Sequence, residues 1–431
     1  MPDSPDLIVI RGRGRVSALG TDAGAYVGVS AAPFQTQIVG AHPFPVAQLP
    51  AAAESAVTTL QRSHPAYRQL DRTVLLALLA ARQAAAHAGW LVENDTSTSP
   101  SLEHPESLAS QQAISNKQQV TTNCQPAAIA VSIGSSRGAT GRLEQFHADF
   151  LADGAVPVAA SPLTTLGNVA SWVAFDAGSN SGAALSHSST CSSAFQALGN
   201  AMAWLRAGMA TRFLAGGTEA PLTDFTLAQM HALGIYSPFP AAGWPCRPGA
   251  GRPSTFVLGE GAAVFALEKV SATTLATERR INKPIFVLEG VGFGFEAIAS
   301  KTGLSPDGQH FQQAMHQALH WAGCQPNAVD AVVLHSPGTP AGDASERAAL
   351  RVVFGDVLPP LVSNKWLLGH TLGASAALSL DFALQVLETQ QWLVAPFGTD
   401  LAKAAPRPIR RILINAAGFG GNAASVLVTM L

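Results

Sequence analysis

Charge is scarce in this 431-residue chain: Asp, Glu, Lys and Arg make up 13% of it against 47% hydrophobic residues, where soluble domains usually carry about a quarter charged. A chain this apolar does not stay disordered. It predicts a large covered interior or a large subunit interface. The charge present is balanced, 26 basic against 28 acidic residues, and no basic block follows a phosphate backbone, so nucleic acid is not an expected partner. Long apolar runs are missing too. The longest, Val74 to Ala81, falls far short of the roughly 18 residues a bilayer span needs, and no transmembrane helix is predicted. Met1-Pro2-Asp3-Ser4-Pro5-Asp6 is acidic and precedes Arg11, Arg13 and Arg15, the reverse of a signal peptide's order, which predicts a cytoplasmic protein. Cysteine is equally sparse. Cys124, Cys191, Cys246 and Cys324 lie far apart with no Cys-x-x-Cys pair, so neither a disulfide framework nor a zinc site is indicated.

At roughly 150 residues per domain the length allows two to three units, although large α/β enzymes run this long as one. Leu7 to Gly20 reads as a strand running into Gly12, Gly14 and Gly20. Its Gly-x-Gly invites a dinucleotide site, but that needs a helix opening at the glycines and an acidic residue about 20 positions on, and Ala41 to Pro50 is Pro-rich instead. Residues 93–125 are rich in Ser, Thr, Asn, Gln and Pro, the composition of a solvated insertion.

The chain also echoes itself. A helix over 71–89 precedes a strand over 127–133, and a helix over 309–323 precedes a strand over 328–334. Thr255 to Leu267 and Ile412 to Leu427 each read as two strands joined through glycines. Alternating helices and apolar strands argue for mixed sheets covered by helices around one core. The expected domains are therefore two similar halves, 1–270 and 271–431, in one layered α/β body.

Cys191 sits where the strand-like Ala183–Ser189 meets an amphipathic segment from Ala194 to Arg206. At a strand-to-helix turn, free N–H groups and the helix dipole favour a thiolate and face a developing oxyanion; the plainer reading is a buried structural thiol. Cys124, Cys246 and Cys324 are read as structural. His335 ends a strand and opens the tight loop Ser336-Pro337-Gly338-Thr339-Pro340, a usual place for catalytic side chains. His370 stands between Gly369 and Gly373, five residues after Lys365. His87, His316 and His320, on helices, are read as surface or core residues.

Together these segments resemble the β-ketoacyl-[acyl-carrier-protein] synthases of the thiolase superfamily. Ser189-Thr190-Cys191-Ser192-Ser193-Ala194 is similar to the family's nucleophile turn, Gly216-Gly217-Thr218-Glu219-Ala220 and Phe256 to Ala262 to its first-half closing elements. His335 to Asp343 is similar to its first histidine loop, Ser363 to His370 to its lysine-histidine segment, and Asn415 to Gly421 to its Gly-Phe-Gly-Gly turn. Ile8 to Gly20 looks like its opening strand. The resemblance implies a duplicated α-β-α-β-α thiolase-like body and a decarboxylating Claisen condensation. It implies an acyl group held on Cys191, an oxyanion hole of the Cys191 and Phe419 N–H groups, with Phe419 also gating, and an enolate stabilised by His335 and His370. Lys365 supplies a fixed charge and Thr339 bonds the pantetheine arm. The implied partners are acyl carrier protein and a second ketosynthase-like subunit, in a homodimer or heterodimer; the implied pathways are fatty acid or type II polyketide and aryl-polyene synthesis. No metal or other cofactor is required beyond the carrier's phosphopantetheine. Leu227 and Met230 are candidates for lining the acyl tunnel or for ordinary packing. Arg62, Arg68 and Arg72 are candidates for a carrier dock or for a plain solvated face.

The sequence departs from the family pattern. Ser336 and Pro337 replace Gly and Thr after His335, Ser379 replaces a Glu that pairs with the lysine, Ala417 replaces an aromatic residue, and Pro253-Ser254-Thr255 replaces Arg-Asp-Gly. Those losses keep open a non-catalytic chain-length-factor subunit. Gly134-Ser135-Ser136-Arg137-Gly138 fits the nucleophile elbow of α/β-hydrolases and makes a serine hydrolase using Ser136 the rival enzyme.

Overall fold

The computed structural model describes residues 6–431 except 23, 25, 91–128, 167, 180–181, 279–283, 298–303 and 406. The predicted polar insertion over 93–125, and Cys124 within it, lie outside the described residues.

The first part of the chain runs β1 (Leu7–Val16), β2 (Gln35–Val39), β3 (His42–Val46), α1 (Ala51–Ser63), α2 (Arg72–His87) and β4 (Ile129–Gly134). It continues α3 (Thr140–Asp153), α4 (Ala160–Thr164), α5 (Asn168–Asp176), β5 (Ala184–His187), α6 (Ser193–Arg206) and β6 (Arg212–Glu219). Then come α7 (Asp224–Ala232), β7 (Gly261–Val270), α8 (Ala272–Glu278), β8 (Phe286–Phe295), α9 (Gln309–Trp321) and β9 (Ala331–Val333). The last elements are α10 (Pro340–Phe354), β10 (Leu361–Val362), α11 (Lys365–Leu368), α12 (Ser375–Thr389), β11 (Arg411–Gly418) and β12 (Asn422–Met430).

The strands join in the order β10-β9-β11-β12-β8-β1-β7-β6-β4-β5. Read outward from the β8–β1 junction, each side presents the same sequence of elements: β1, β7, β6, β4, β5 on one and β8, β12, β11, β9, β10 on the other. The predicted echo is therefore a repeat in space. In both sets the outer strands pair in parallel and the inner ones antiparallel. The apolar helices α6 and α12 pack on each other and on strands of both sets, while α2 covers β1 and α9 covers β8. The layers are thus helix, sheet, helix, sheet, helix, the thiolase-like mixed α/β order.

Gly12 and Gly14 have a packing role. A Cβ at Gly12 would land on the Ala84 carbonyl of α2, and one at Gly14 on the Ala80 carbonyl. On the other side, Gly292 and Gly294 meet Ala314 and His310 of α9 in the same way. Glycine at alternate positions lets each helix lie directly on the first strand of its set, and this accounts for the motif without a nucleotide. Gly14→Ala should therefore destabilise the fold by about 1–3 kcal/mol or more, read as a lower midpoint in chemical denaturation.

One strand of an expected pair is absent, the other being part of β7. Thr255 to Glu260 forms no strand and meets its neighbours through isolated bridges, Phe256 to Tyr236, Leu258 to His370 and Gly259 to Ala47. Its place in the fold is to run beneath the candidate site, and the true counterpart of the β11–β12 hairpin is the β6–β7 pair.

Candidate active site

Serine side chains shape the turn between β5 and α6. Ser189 N–H donates to Ser193 Oγ at 2.9 Å, Ser192 Oγ to the Ser189 carbonyl at 2.8 Å, and Thr190 Oγ1 to the same carbonyl at 2.7 Å. Thr190 is thereby held at φ 54°, a left-handed conformation that costs a β-branched residue and turns the next side chain, Cys191, out of the turn. Gly418 closes over it, since a Cβ there would strike Thr190 Oγ1 and the Cys191 nitrogen. The expected resting thiolate is not what this environment favours. Burial, reinforced by the negative charge of Glu219, pushes the Cys191 thiol up to about 12; desolvation outweighs the helix dipole. Cys191 rests as a thiol.

His335 follows β9, and its loop is pinned by one carboxylate. Glu346 on α10, fully buried, accepts from the His335 N–H at 2.9 Å, from the Ser336 N–H and hydroxyl at 2.8 Å each, and from Asn415 Nδ2 at 3.2 Å. Arg347 donates to Ser336 Oγ at 2.6 Å and clasps Asp400 with two nitrogens. Asp343, also on α10, takes the Gly338 N–H at 3.2 Å and the Gly249 N–H at 2.7 Å; burial pushes it up to about 7.

His370 is fixed through its backbone, with its N–H on the Val257 carbonyl at 2.7 Å and its carbonyl taking the Gly259 N–H at 3.1 Å. Its Nδ1 accepts from the Leu372 N–H at 3.1 Å. The proton of the neutral ring is therefore on Nε2, as a donor. Burial, then the Lys365 charge, lowers His370 to about 3, and burial with the His370 and Lys365 charges lowers His335 well below the ordinary value. The two rings stand 5.3 Å apart, nearly perpendicular, and both are neutral at pH 7.

A cavity of about 830 Å³ joins these groups. Cys191, His335, His370, Thr339 and Phe419 line it with Met230. Pro337 and Ala417, two of the departures, line it as well, and Arg252, Pro253 and Ser254 lie along its wall. Leu227 instead packs in the apolar cluster with Cys191 and Met230. Lys365 is not on the wall but buried behind it, bonded through Nζ to Ser379 Oγ at 3.2 Å and Asn364 Oδ1 at 3.4 Å. Ser136 is outside the cavity, its N–H donated to Glu219 at 2.6 Å. Cys246 is buried and Cys324 half-buried; His87, His316 and His320 are exposed. Arg72 is held by Glu54 and Glu260, leaving Arg62 and Arg68 exposed. Among the described residues no cluster of His, Cys, Asp or Glu is arranged to hold a metal ion.

Glu219 and Asp343 lie inside sequence motifs without an assigned role there, and Glu346 lies outside every motif. Glu219 accepts from the Ser136, Arg137 and Gly373 N–H groups and from Ser135 Oγ, tying the loop after β4 to the segment after His370. Burial pushes it up to about 7. The signal available was spacing: Asp343 and Glu346 stand three apart, one helical turn, just after the histidine loop.

A thiol, two neutral imidazoles and an apolar enclosure suit transfer of an acyl group and stabilisation of a carbanion through its enolate oxygen. Comparison with known proteins points the same way. Models described as beta-ketoacyl synthase, N-terminal domain, and beta-ketoacyl synthase, C-terminal domain, match residues 106–273 and 285–396, together more than half of the chain. The 3-oxoacyl-[acyl-carrier-protein] synthase 2 of Staphylococcus aureus (strain COL) is 31% identical over 210 residues, 48% of this chain and 49% of that protein. The match thus spans about half the length of that relative. A beta-ketoacyl synthase from Burkholderia phymatum STM815 superposes with a TM-score of 0.78 at 22% identity, covering 99% of this chain and 100% of that one. A ketosynthase solved in complex with its chain length factor, from Xenorhabdus doucetiae, gives 0.72 at 20% identity over 100% of both chains. At these identities the solved structures speak for the fold alone.

Proposed function

This chain belongs to the β-ketoacyl synthase family, and we propose that it is an active condensing member, joining an acyl group on Cys191 to malonyl-acyl-carrier protein. The observation that carries this reading is that Cys191, His335 and His370 line one cavity with the two rings 5.3 Å apart.

In the first half-reaction Cys191 Sγ attacks the thioester carbonyl of an acyl-phosphopantetheine, while the Cys191 and Phe419 N–H groups hold the oxyanion. Collapse expels the pantetheine thiol, which takes up the proton that Cys191 gave. In the second, malonyl thioester enters and its C–CO₂ bond breaks. The bonding pair moves into an enolate whose oxygen accepts from the imidazole N–H groups of His335 and His370, and carbon dioxide leaves. The carbanion carbon attacks the Cys191 thioester and the C–S bond breaks; the β-ketoacyl product departs on its carrier, and the thiolate takes a proton from solvent. Thr339 is assigned to the pantetheine arm and Phe419 to the gate. Residues 1–270 are taken as the half carrying the nucleophile and 271–431 as the half carrying His335, Lys365 and His370.

A partner subunit, identical or ketosynthase-like, is part of the reading. β5 is an outermost strand of the sheet, and Leu143, Phe150, Leu151 and Val158, on and just after α3, are exposed, which is the kind of apolar surface a second chain covers. The Ser379 and Pro337 departures support the second reading, a non-catalytic chain-length-factor-like subunit. Incubation with acyl-carrier proteins of graded chain length, with and without a candidate partner, followed by intact-mass and peptide mapping, separates the two. An acyl adduct on Cys191 is expected. No adduct under any of these conditions assigns the silent role.

A further inference from the structure

We propose that Ser379 leaves Lys365 as a solitary charge beside the condensation site, one the protein can lose as well as hold, so that proton occupancy at Nζ sets how fast the site works. The inference rests on the condensing role above and on three observations.

The first is what surrounds the ammonium. Lys365 is 2% exposed, and its Nζ bonds are to the neutral oxygens of Ser379 and Asn364, which are themselves bonded to each other at 3.2 Å. Among the described residues no carboxylate forms an ion pair with it. The second is that the nearby acids are already engaged. Asp381, two residues along α12, is taken by Arg15 at 2.5 Å and lies 3.8 Å from Arg13, both on β1. Glu346 holds the His335 loop. The third is that α12 places position 379 directly at Nζ. A longer acidic side chain there would reach the ammonium, and serine offers only a hydroxyl.

A buried ammonium with neutral partners binds its proton weakly. Burial, offset only in part by Cys246, Glu346 and Cys191, lowers Lys365 to about 8. The other groups that face it titrate elsewhere. Cys191 and Cys246 are pushed up to about 12, His370 lies near 3 and His335 well below its ordinary value; Glu219 and Asp343 sit near 7. The Lys365 charge adds to burial in keeping the two imidazoles neutral and favours the negative enolate, so its loss removes a stabilisation that grows as the reaction proceeds.

The test compares the wild type with Ser379→Glu and Ser379→Asp across pH 7 to 10. Wild-type condensation should fall about tenfold per pH unit above an inflection near 8, with the Cys191 adduct still forming. In the acidic variants the inflection should move up by a unit or more, as expected for an opposite charge at contact distance. A second readout needs no activity. Because Lys365 binds its proton less tightly folded than unfolded, the unfolded state carries more protons between about 8 and the ordinary lysine value of 10.5, so this group makes wild-type stability rise with pH across that window. Ser379→Glu, or Lys365→Met, should remove that contribution from the denaturation midpoints. A wild-type profile flat to pH 10, or an inflection that ignores the residue at 379, overturns the proposal. If no adduct forms in any protein it is the condensing role that fails, and the stability comparison still decides the state of Lys365.

Discussion

His335→Ala should slow condensation by about 10²- to 10⁴-fold while acyl transfer to Cys191 stays within a few-fold of wild type. The two half-reactions ask different things of the site. Acylation needs the sulfur and two backbone donors, and these come from the turn before α6 and from the Gly418–Phe419 turn, whereas the hydrogen bonds of Glu346 go to His335, Ser336 and Asn415. Condensation needs a donor for the enolate oxygen, and the two imidazoles, 5.3 Å apart on the cavity wall, are placed to supply it. His335 is the cleaner position to remove. Its own place is held through its backbone N–H by Glu346, so truncating the ring leaves that anchor in place. His370→Ala would orphan the Leu372 N–H, which Nδ1 now accepts, and so would mix structure with chemistry. Single-turnover assays that follow adduct formation and carbon dioxide release separately are the measurement. His335→Gln, which keeps an N–H donor, should recover part of the lost rate. Equal loss of both half-reactions in His335→Ala would contradict the division of labour. Because both imidazoles are held neutral by burial and by the Lys365 charge, neither should add an inflection between pH 5 and 7.

Much of this site could be read from the chain before its coordinates, and the reason is local. Cys191 stands between a strand-like segment and an amphipathic one, and His335 and His370 follow apolar stretches, each beside small residues; short-range pattern is enough to place a side chain at a turn. The doubled order of elements was legible for the same reason. What failed depended on partners distant in sequence. A thiolate at Cys191 follows from a helix terminus alone, but the depth of burial and the charge of Glu219, 28 positions on, reverse the direction. Phe256 to Glu260 looks like a strand by composition, yet no strand runs beside it to complete a ladder. Gly12 and Gly14 carry two meanings locally, and only the Ala80 and Ala84 carbonyls of α2 choose between them. The buried carboxylates were the hardest to find, because acidic residues sit mostly at the surface and nothing short-range announces an exception.

Glu346 is the sharpest case of such an exception, and Glu346→Ala should cost about 3–5 kcal/mol of stability, the range for removing one member of a buried charge network. Four donations converge on its two oxygens from His335, Ser336 and Asn415, and the Arg347 guanidinium lies 3.7 Å away. With the carboxylate gone the His335 and Ser336 N–H groups are left in a dry interior without acceptors, each carrying a desolvation penalty of about 1–3 kcal/mol. Arg347 keeps the half-exposed Asp400 as its ion-pair partner, with Ser336 Oγ as a neutral acceptor. Glu346→Gln has nearly the same shape and separates fold from function. One amide oxygen still accepts, but the NH₂ now confronts donors, so the His335 loop loses one of its two anchors while the core stays filled. That variant should fold with a smaller loss of denaturation midpoint than the alanine protein, acylate Cys191 normally, and condense at least tenfold more slowly because the His335 ring is no longer held against the substrate. Equal condensation by Glu346→Gln and wild type would mean that the loop is positioned by the Arg347–Ser336 bond instead, and Arg347→Met should then produce the defect.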